Sequence, residues 1–520
     1  GKALALDTPL ATPDGWTTMA DVAVGDQVLG ADGRPTTVIA TSEILLGRQC
    51  YEVEFSDGSV LVADALHQWS THDRKARRSG RTPQVRTTEQ IAATVRTETA
   101  DRRANHSISN PAPLKLPEAV LPIAPYTFGA WLGDGHSAAA RITSADPEVV
   151  WHIEADGYEV TPSGPLVYTV QLPQAPPLPA RECVVCGATF QPRHTGSKAC
   201  GRSCGGRSRF VSAGGETPVC TDCGEPSAAM RNGNAGRRCP QCRITTGSLT
   251  ALLRTVGVLG NKHIPAGYLR ASEAQRRALL AGLLDTDGTV TATGNCQYTS
   301  TSRQLAEDVR ELVLSLGYRC SISSKPVRRR TDTSSIGYTL TFTTSDQVFR
   351  LERKALAHKE RSRSDATARR SARYIVDVRP VPSVPVRCVS IDNADKLYLA
   401  GRTMVPTHNS TASMDFARNA AIRSNCASAI FSLEMSKIEI VMRLLSAEAR
   451  VPLHVLRSGQ LSDDDWTKLA RRMGEISEAP IFVDDTPSMN LMEIRAKARR
   501  LKQRHDLKLI VVDYLQLMTS

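Results

Sequence analysis

The stretch "THNSTASMDFARNAA" at 407–421 reads as the second half of an interrupted motif. Ser410-Thr411 runs into an amphipathic segment, as at the start of the helix behind a phosphate-binding loop. Such a loop, G-x-x-x-x-G-K-[ST], needs Gly-Lys directly before the Ser, because its backbone N–H groups and its Lys cradle phosphate. His408-Asn409 stands in that place. The absent pair is found at the start of the chain, as Gly1-Lys2. Joining Lys2 to Ser410 gives Gly-Lys-Ser-Thr-Ala-Ser-Met.

Outward from this junction the texture changes several times. At 520 residues the chain has room for about three domains. Opening on Gly1 rather than Met, it reads as a fragment. Residues 3–72 hold short β-like runs separated by Asp-Gly turns at 14–15, 32–33 and 57–58, an all-β hairpin pattern. Residues 73–120 are basic and polar and read as a linker. Residues 121–175 and 246–350 mix helical and strand patterns around a Gly- and Cys-rich insert. Short strands return at 384–406. From 410 onward helices alternate with apolar strands at 427–433, 480–485 and 507–518, which predicts a parallel sheet covered on both faces.

Composition narrows the function classes. No apolar run approaches the roughly 20 residues of a membrane span and no signal peptide is visible, so a soluble cytoplasmic protein without a membrane partner is expected. The formal net charge is +12, and the excess clusters in "DRKARRSGR" (73–81), "VRRRTD" (327–332) and "HKERSRSDATARRSARY" (358–374). Such clusters suit nucleic acid, or merely a solvated surface.

The tail supplies the first resemblance. "FSLEMS" (431–436) and "IVVDYLQLM" (510–518) resemble the motifs of the DnaB-type replicative DNA helicase, whose ATPase domain has a RecA-like fold. The resemblance covers 410–520 with Gly1 and Lys2. It implies Lys2, Ser410 and Thr411 at the phosphates and Mg²⁺ of ATP, Glu434 as the base activating water, and Asp513 as the Walker B acid. It also implies single-stranded DNA as a partner and a homo-oligomeric ring. The chemistry fits: hydroxyl and strand-end carboxylate hold the metal while another carboxylate orients water.

An ATP site split in this way works only if the interruption is removed. Asn409 followed by Ser410 is a self-cleaving arrangement, since the Asn side-chain amide can attack its own backbone carbonyl and the Ser hydroxyl can accept an acyl group. His408 can protonate the scissile peptide. Ala3–Asn409 looks like an intein with the Hint fold, on the blocks "ALALDTPLATPDGW", "DGSVLVADALHQW", "VRCVSIDNADKLYLAG" and "MVPTHN". The resemblance departs at its first residue. Ala3 stands where inteins usually carry a Cys or Ser nucleophile. A variant class instead carries Trp two residues after the block His, Cys in the penultimate block, and Thr two residues before the terminal Asn. Trp69 after His67, Cys388, and Thr407 before Asn409 match it. The match implies that Cys388 attacks the carbonyl of Lys2 while His67 protonates the leaving amide of Ala3. Asp64 replaces the usual Thr three residues before the block His, and the penultimate block has no His.

Two further chemistries lie inside the insert. "LAGLLDTDG" (280–288) resembles the LAGLIDADG homing endonuclease motif, and "TFGAWLGDG" (127–135) is a weaker copy. Two copies imply a pseudo-dimer in which paired helices deliver Asp134 and Asp287 to Mg²⁺ at a double-stranded DNA target, with Lys325 as a basic helper. Eight of the 13 cysteines form two four-Cys sets: Cys183, Cys186, Cys200 and Cys204, then Cys220, Cys223, Cys239 and Cys242. In a cytoplasmic chain these spacings suit two structural Zn²⁺ sites rather than disulfides. Arg and Lys around them suit DNA phosphates.

The expected architecture is nested and multidomain. An all-β Hint splicing domain spans 3–100 and 376–409. An α/β LAGLIDADG endonuclease spans 120–360 and encloses a zinc-binding insert at 181–245. An α/β RecA-like ATPase fragment spans 410–520, with 1–2 as the matching upstream remnant. Two alternatives stay open: a zinc-dependent nucleic-acid-binding protein with vestigial splicing residues, and a helicase fragment with an inert insertion.

Overall fold

The computed structural model describes residues 2–173, 180–192, 199–201, 204, 223, 240–245, 247–328, 334–361, 372–393, 395–408, 412–433, 436–449, 451, 456, 462–486 and 489–513. Gly1, Asn409, Ser410, Thr411, Glu434, Cys220 and Cys239 lie outside them.

The two ends of the insert build one antiparallel β body. A sheet runs in the order Ser107–Ser109, Ala372–Val381, Cys50–Phe55, Val60–Asp64, Leu4–Ala5, Val386–Arg387. A second runs Gly15–Thr18, Pro9–Thr12, Leu397–Ala400, Val405–His408, Gln68–Thr71, Gln84–Thr87. The period-two pattern of "CYEVEF" buries Cys50, Tyr51, Val53 and Phe55. Gly58, at φ +78°, closes the hairpin to Val60–Asp64 in a backbone region that other residues rarely adopt. Leu10, Val53, Phe55, Trp69, Ile375, Ile391 and Tyr398 share the core.

The basic stretch 73–120 is not the linker its composition suggests. Asp73 caps the helix Arg74–Ser79, and Thr87 with Gln90 forms a capping box on the helix Thr88–Thr94. Gln84–Thr87 pairs with Gln68–Thr71, and Ser107–Ser109 pairs with Ala372–Val381. The β body therefore extends past residue 100 and resumes before residue 376.

The middle of the insert is organised by two helices, Pro125–Asp134 and Glu273–Asp287, packed along their length. Each feeds its own antiparallel sheet. The first has the order Arg141–Thr143, Val167–Gln171, Glu159–Gly164, and the second Gly288–Val290, Cys296–Ser300, Ser334–Phe342, Cys320–Arg328. Small residues allow the close approach. A Cβ on Gly129 would lie 2.3 Å from the Leu279 carbonyl oxygen, and one on Gly282 would lie 2.2 Å from that of Tyr126. This body is fastened to the β body. Its core reaches Ala11, Leu29, Leu399 and Met404. Arg270, largely buried, donates to Thr12 O, Gly15 O and Glu311, while Trp16 Nε1 donates to Glu311 at 3.0 Å.

Beyond 411 the strand Ser428–Ser432 pairs in parallel with both Ile481–Asp484 and Leu509–Asp513. Ala429 and Phe431 face Met489, Ile494 and Ala498 on one side, and Ile430 faces Ala417, Ile440 and Leu444 on the other. The two-faced parallel sheet expected from the apolar strands is present. The helix Asp463–Glu478, with Asp463, Asp464 and Asp465 in its first turn, was not among the elements read from the sequence.

No helix among the described residues is long and apolar enough to cross a membrane. The helix contact yields a test. Gly282→Val should place a side chain against the Tyr126 backbone and destabilise the insert by about 2–3 kcal/mol. Urea denaturation checks this, and an unchanged midpoint would contradict the close approach.

Candidate functional site

The junction between Lys2 and Ala3 is enclosed by residues distant in sequence. Leu4 pairs with Ala63 on one side and Arg387 on the other, which draws Asp64 and Cys388 to the junction. Asp64 N donates to Ala3 O at 3.0 Å. Ala3 is fully buried with Cys50 and Val386, and Cys388 packs against them. Pairing of His408 with Gln68 brings the last strand beside the block His. His67 Nε2 is hydrogen-bonded to Thr407 Oγ1, and both residues are fully buried. Trp69 meets the His67 ring edge-on at 4.7 Å between centroids, and its Nε1 donates to Thr88 Oγ1 at 3.0 Å.

The electrostatics locate the reacting peptide. Burial pushes His67 down to about 3, and a backbone group of Lys2 acts against that shift. Lys2 therefore lies near the ring, whose Nε2 is engaged by Thr407 and whose Nδ1 has no hydrogen-bond partner among the described residues. Burial raises the Cys388 thiol, while a Lys2 backbone group that lowers it must be the N–H. Burial raises Asp64, and the Arg48 guanidinium (3.0 Å) and the Ala3 N–H oppose it. His408 is held well below its usual value by burial, then by the charges of Lys2 and His67. The pocket thus holds neutral imidazoles and a protonated thiol around one peptide bond.

Tyr398 was missed as a functional candidate. It is fully buried, faces Thr407 across the strand pair, and its hydroxyl has no hydrogen-bond partner among the described residues. "KLYLAG" showed only a strand, and an isolated Tyr in a strand carries no functional signal.

The paired helices end together at Asp134 and Asp287. Asp287, whose side chain is exposed at the end of the second helix, is pushed up to about 6, by desolvation first and then by the charge of Asp134. Asp134 is raised by its own desolvation. A pair of neighbouring carboxylates of this kind fits a shared cation, the donor set that Mg²⁺ prefers. The cations acting on Asp287 are Lys262 and Lys354. Lys262 Nζ caps the first helix through Gly133 O (2.9 Å) and Gly135 O (2.7 Å). Lys354 Nζ caps the second through Leu284 O, Asp285 O and Gly288 O. Lys325 sits exposed on the strand Cys320–Arg328. A lone Lys in "NKHIP" or "ERKALA" gives no sequence signal of its role.

The ligand atoms of Cys183, Cys186, Cys200 and Cys204 all lie within 4.8 Å of one another. The Cys183–Ala188 backbone turn and the paired strands Arg181–Glu182 and Thr189–Phe190 present the first two, and Cys186 Sγ is 3.5 Å from Cys200 Sγ. Four converging thiols fit Zn²⁺. Of the second set, Cys223 and Cys242 are described, and its pairing lies outside the described residues.

In the parallel sheet, Asp513 ends the strand Leu509–Asp513 and is mostly buried. Burial raises its pKa, and the charges of Lys2 and Arg443 lower it. Lys2 therefore acts electrostatically on the imidazoles of the β body and on the strand-end acid of the parallel sheet.

Comparison with known proteins agrees with this division. Residues 391–520 match the DnaB-like helicase C terminal domain, and 274–355 match the LAGLIDADG-like domain. The whole chain is 52% identical to the replicative DNA helicase DnaB of Mycobacterium intracellulare, covering 78% of that protein. It is 32% identical to its counterpart in Mycobacterium leprae (strain TN), covering 43% of it. A crystal structure of the MchDnaB-1 intein shares 52% identity over 20% of this chain and 77% of that one, with a TM-score of 0.15. The chain belongs to the DnaB replicative helicase family and carries a LAGLIDADG-like region within it.

Proposed function

We propose that Ala3–Asn409 excises itself and joins Lys2 to Ser410, restoring the phosphate-binding loop of a DNA helicase. The observation that carries this reading is the His67 imidazole, held by Thr407 against the Lys2–Ala3 junction beside Cys388. Ala3 has no nucleophilic atom, so Cys388 Sγ attacks the Lys2 carbonyl carbon. A buried thiol needs a base, and His67, neutral at physiological pH, takes its proton and returns it to the departing Ala3 nitrogen. The C–N bond breaks and a branched thioester forms. The Ser410 hydroxyl displaces sulfur and the thiol is regenerated. The Asn409 side-chain nitrogen then attacks its own backbone carbonyl, releasing the insert as an imide, with His408 supplying the proton to the leaving amine. The freed Ser410 amine attacks the ester, and a peptide bond replaces it.

In the ligated product Gly1, Lys2, Ser410 and Thr411 form the loop for ATP and Mg²⁺, with Glu434 and Asp513 as the acids. Single-stranded DNA and a ring of like subunits are the partners this implies. The same insert is read as a double-stranded DNA endonuclease. Asp134 and Asp287 would hold Mg²⁺, which stabilises the attacking and leaving oxygens when bound. Lys262 and Lys354 orient both helix ends. Zn²⁺ on the cysteine sets would staple a polar insert too small for a core of its own.

Two tests follow from these assignments. Cys388→Ala should abolish the branched intermediate, whereas Ala3→Gly should splice at a rate within a few-fold of the parent. Mass spectrometry of the precursor, with its upstream segment restored, reads both. Splicing that survives loss of Cys388 would overturn the mechanism. Asp287→Asn should stop DNA cleavage and leave splicing nearly intact. It should also stabilise the metal-free protein. Because the folded-state value is raised, Asp287 contributes stability below the ordinary value of 3.8 that is lost as pH rises through about 6. Because Asp287 is exposed and its repulsion is screened by solvent, the substitution should raise Tm only slightly at pH 8 and by less at pH 5. A lower Tm at pH 8 would contradict the repulsion of Asp287 by Asp134.

A further inference from the structure

The basic cluster 73–81 is not explained by splicing or by cleavage. It lines a groove of about 850 Å³ on the β body, walled by Arg74, Arg77, Arg78, Arg81, Arg103 and Tyr374, with no carboxylate among its lining residues. Arg74 and Arg103 are partly neutralised by Asp101, at 3.4 and 2.7 Å. Arg77 is built in. Its Nη1 donates to His72 O (2.6 Å) and Asn105 O (2.7 Å), and its guanidinium lies 5.0 Å from the Tyr374 ring centroid. Arg78 and Arg81 are exposed, and neither side chain makes an ion pair or hydrogen bond among the described residues.

Its position gives the groove meaning. Ser109 and Ala372 both line it and pair in register. They mark where the chain leaves the β body for the LAGLIDADG-like body and where it returns. At the same rim Arg319, from that second body, donates to Ser56 Oγ at 3.3 Å and reaches Ala372 O at 3.5 Å. A basic side chain of the second body therefore reaches the rim of the groove.

We propose that this groove holds the phosphate backbone of the duplex DNA whose cleavage is assigned to Asp134 and Asp287, so that the splicing domain extends the endonuclease's footprint. The inference rests on that endonuclease reading. Duplex backbone is favoured over single strands because the aromatic ring in the groove is covered by Arg77 and is not free to stack on a base. Unpaired guanidinium groups suit phosphate oxygens, and such contacts give affinity without sequence preference.

The test uses the full chain carrying Asp287→Asn and a duplex bearing the uninterrupted Gly-Lys/Ser codons, with a random duplex of equal length beside it. Arg78→Ala/Arg81→Ala should weaken binding to both duplexes about tenfold and reduce the slope of log K against log[salt] by about 1.8, two phosphates' worth. Arg78→Lys/Arg81→Lys should retain the slope. Splicing at the parent rate reports that the β body is folded. If the parent binds the duplex, and the Asp287 chain cuts it, yet the alanine pair keeps affinity and slope, the inference falls and the endonuclease reading stands. If the parent binds neither duplex, both fall.

Discussion

The hydrogen bond between His67 and Thr407 is the contact on which the rest depends. It joins residues 340 apart, at opposite ends of the insert, inside a space closed to solvent. A buried polar pair is costly to separate, since each partner would keep the desolvation penalty and lose the bond. The pair therefore holds the register that brings Val405–His408 beside Gln68–Thr71, and with it the end of the last strand near the Lys2–Ala3 junction. Burial also makes the chemistry available. An imidazole kept neutral retains a nitrogen lone pair through which the Cys388 proton can pass to the departing amine, although burial makes it a weak base on which that proton rests only in transit. Everything inserted between these strands must leave that register undisturbed.

The paired helices meet this demand by being a self-contained dyad. Gly129 and Gly282 allow backbone contact, which places Asp134 and Asp287 side by side at the helix ends. Lys262 and Lys354 satisfy the terminal carbonyls and partly offset the two acids. The body is nevertheless not a loose appendage. Arg270, Trp16 and Glu311 clamp it to the first hairpin of the β body, and the large core crosses between them. Attachment of this kind would let the charged groove of one body act with the acids of the other on one duplex.

How much of this is legible in the sequence depends on how local the signal is. The block His with Trp69 and the nonapeptide around Asp287 are contiguous stretches whose residues the structure describes, whereas the split phosphate loop is legible only by joining Lys2 to Ser410, and Gly1, Ser410 and Thr411 lie outside the described residues. The run 73–120 misled because charge dominates its composition. Its structure comes from two helix caps and from strand partners far away in sequence, none of which alters local hydropathy. Lys262, Lys354 and Tyr398 were invisible for the same reason. A lone Lys becomes a helix cap only when folding delivers four carbonyls to it, and a lone Tyr becomes notable only when its hydroxyl is buried without a partner. Asp64 was noted only as a departure from a pattern. Its contacts with Arg48 and the Ala3 amide set a carboxyl group beside the Lys2–Ala3 peptide.

The central claim is that excision creates a nucleotide site that the precursor lacks. ATP hydrolysis tests it most directly, measured on the chain with its upstream segment restored, as the ligated product and as the Asn409→Ala precursor. Before ligation Lys2 lies within electrostatic reach of the imidazoles of the β body and is separated in the chain from residue 410 by the whole insert, so on this account its loop would form only after ligation. After ligation they stand at a helix N-terminus that favours phosphate. The account predicts hydrolysis by the ligated product alone. Equal hydrolysis by the Asn409→Ala precursor would contradict it.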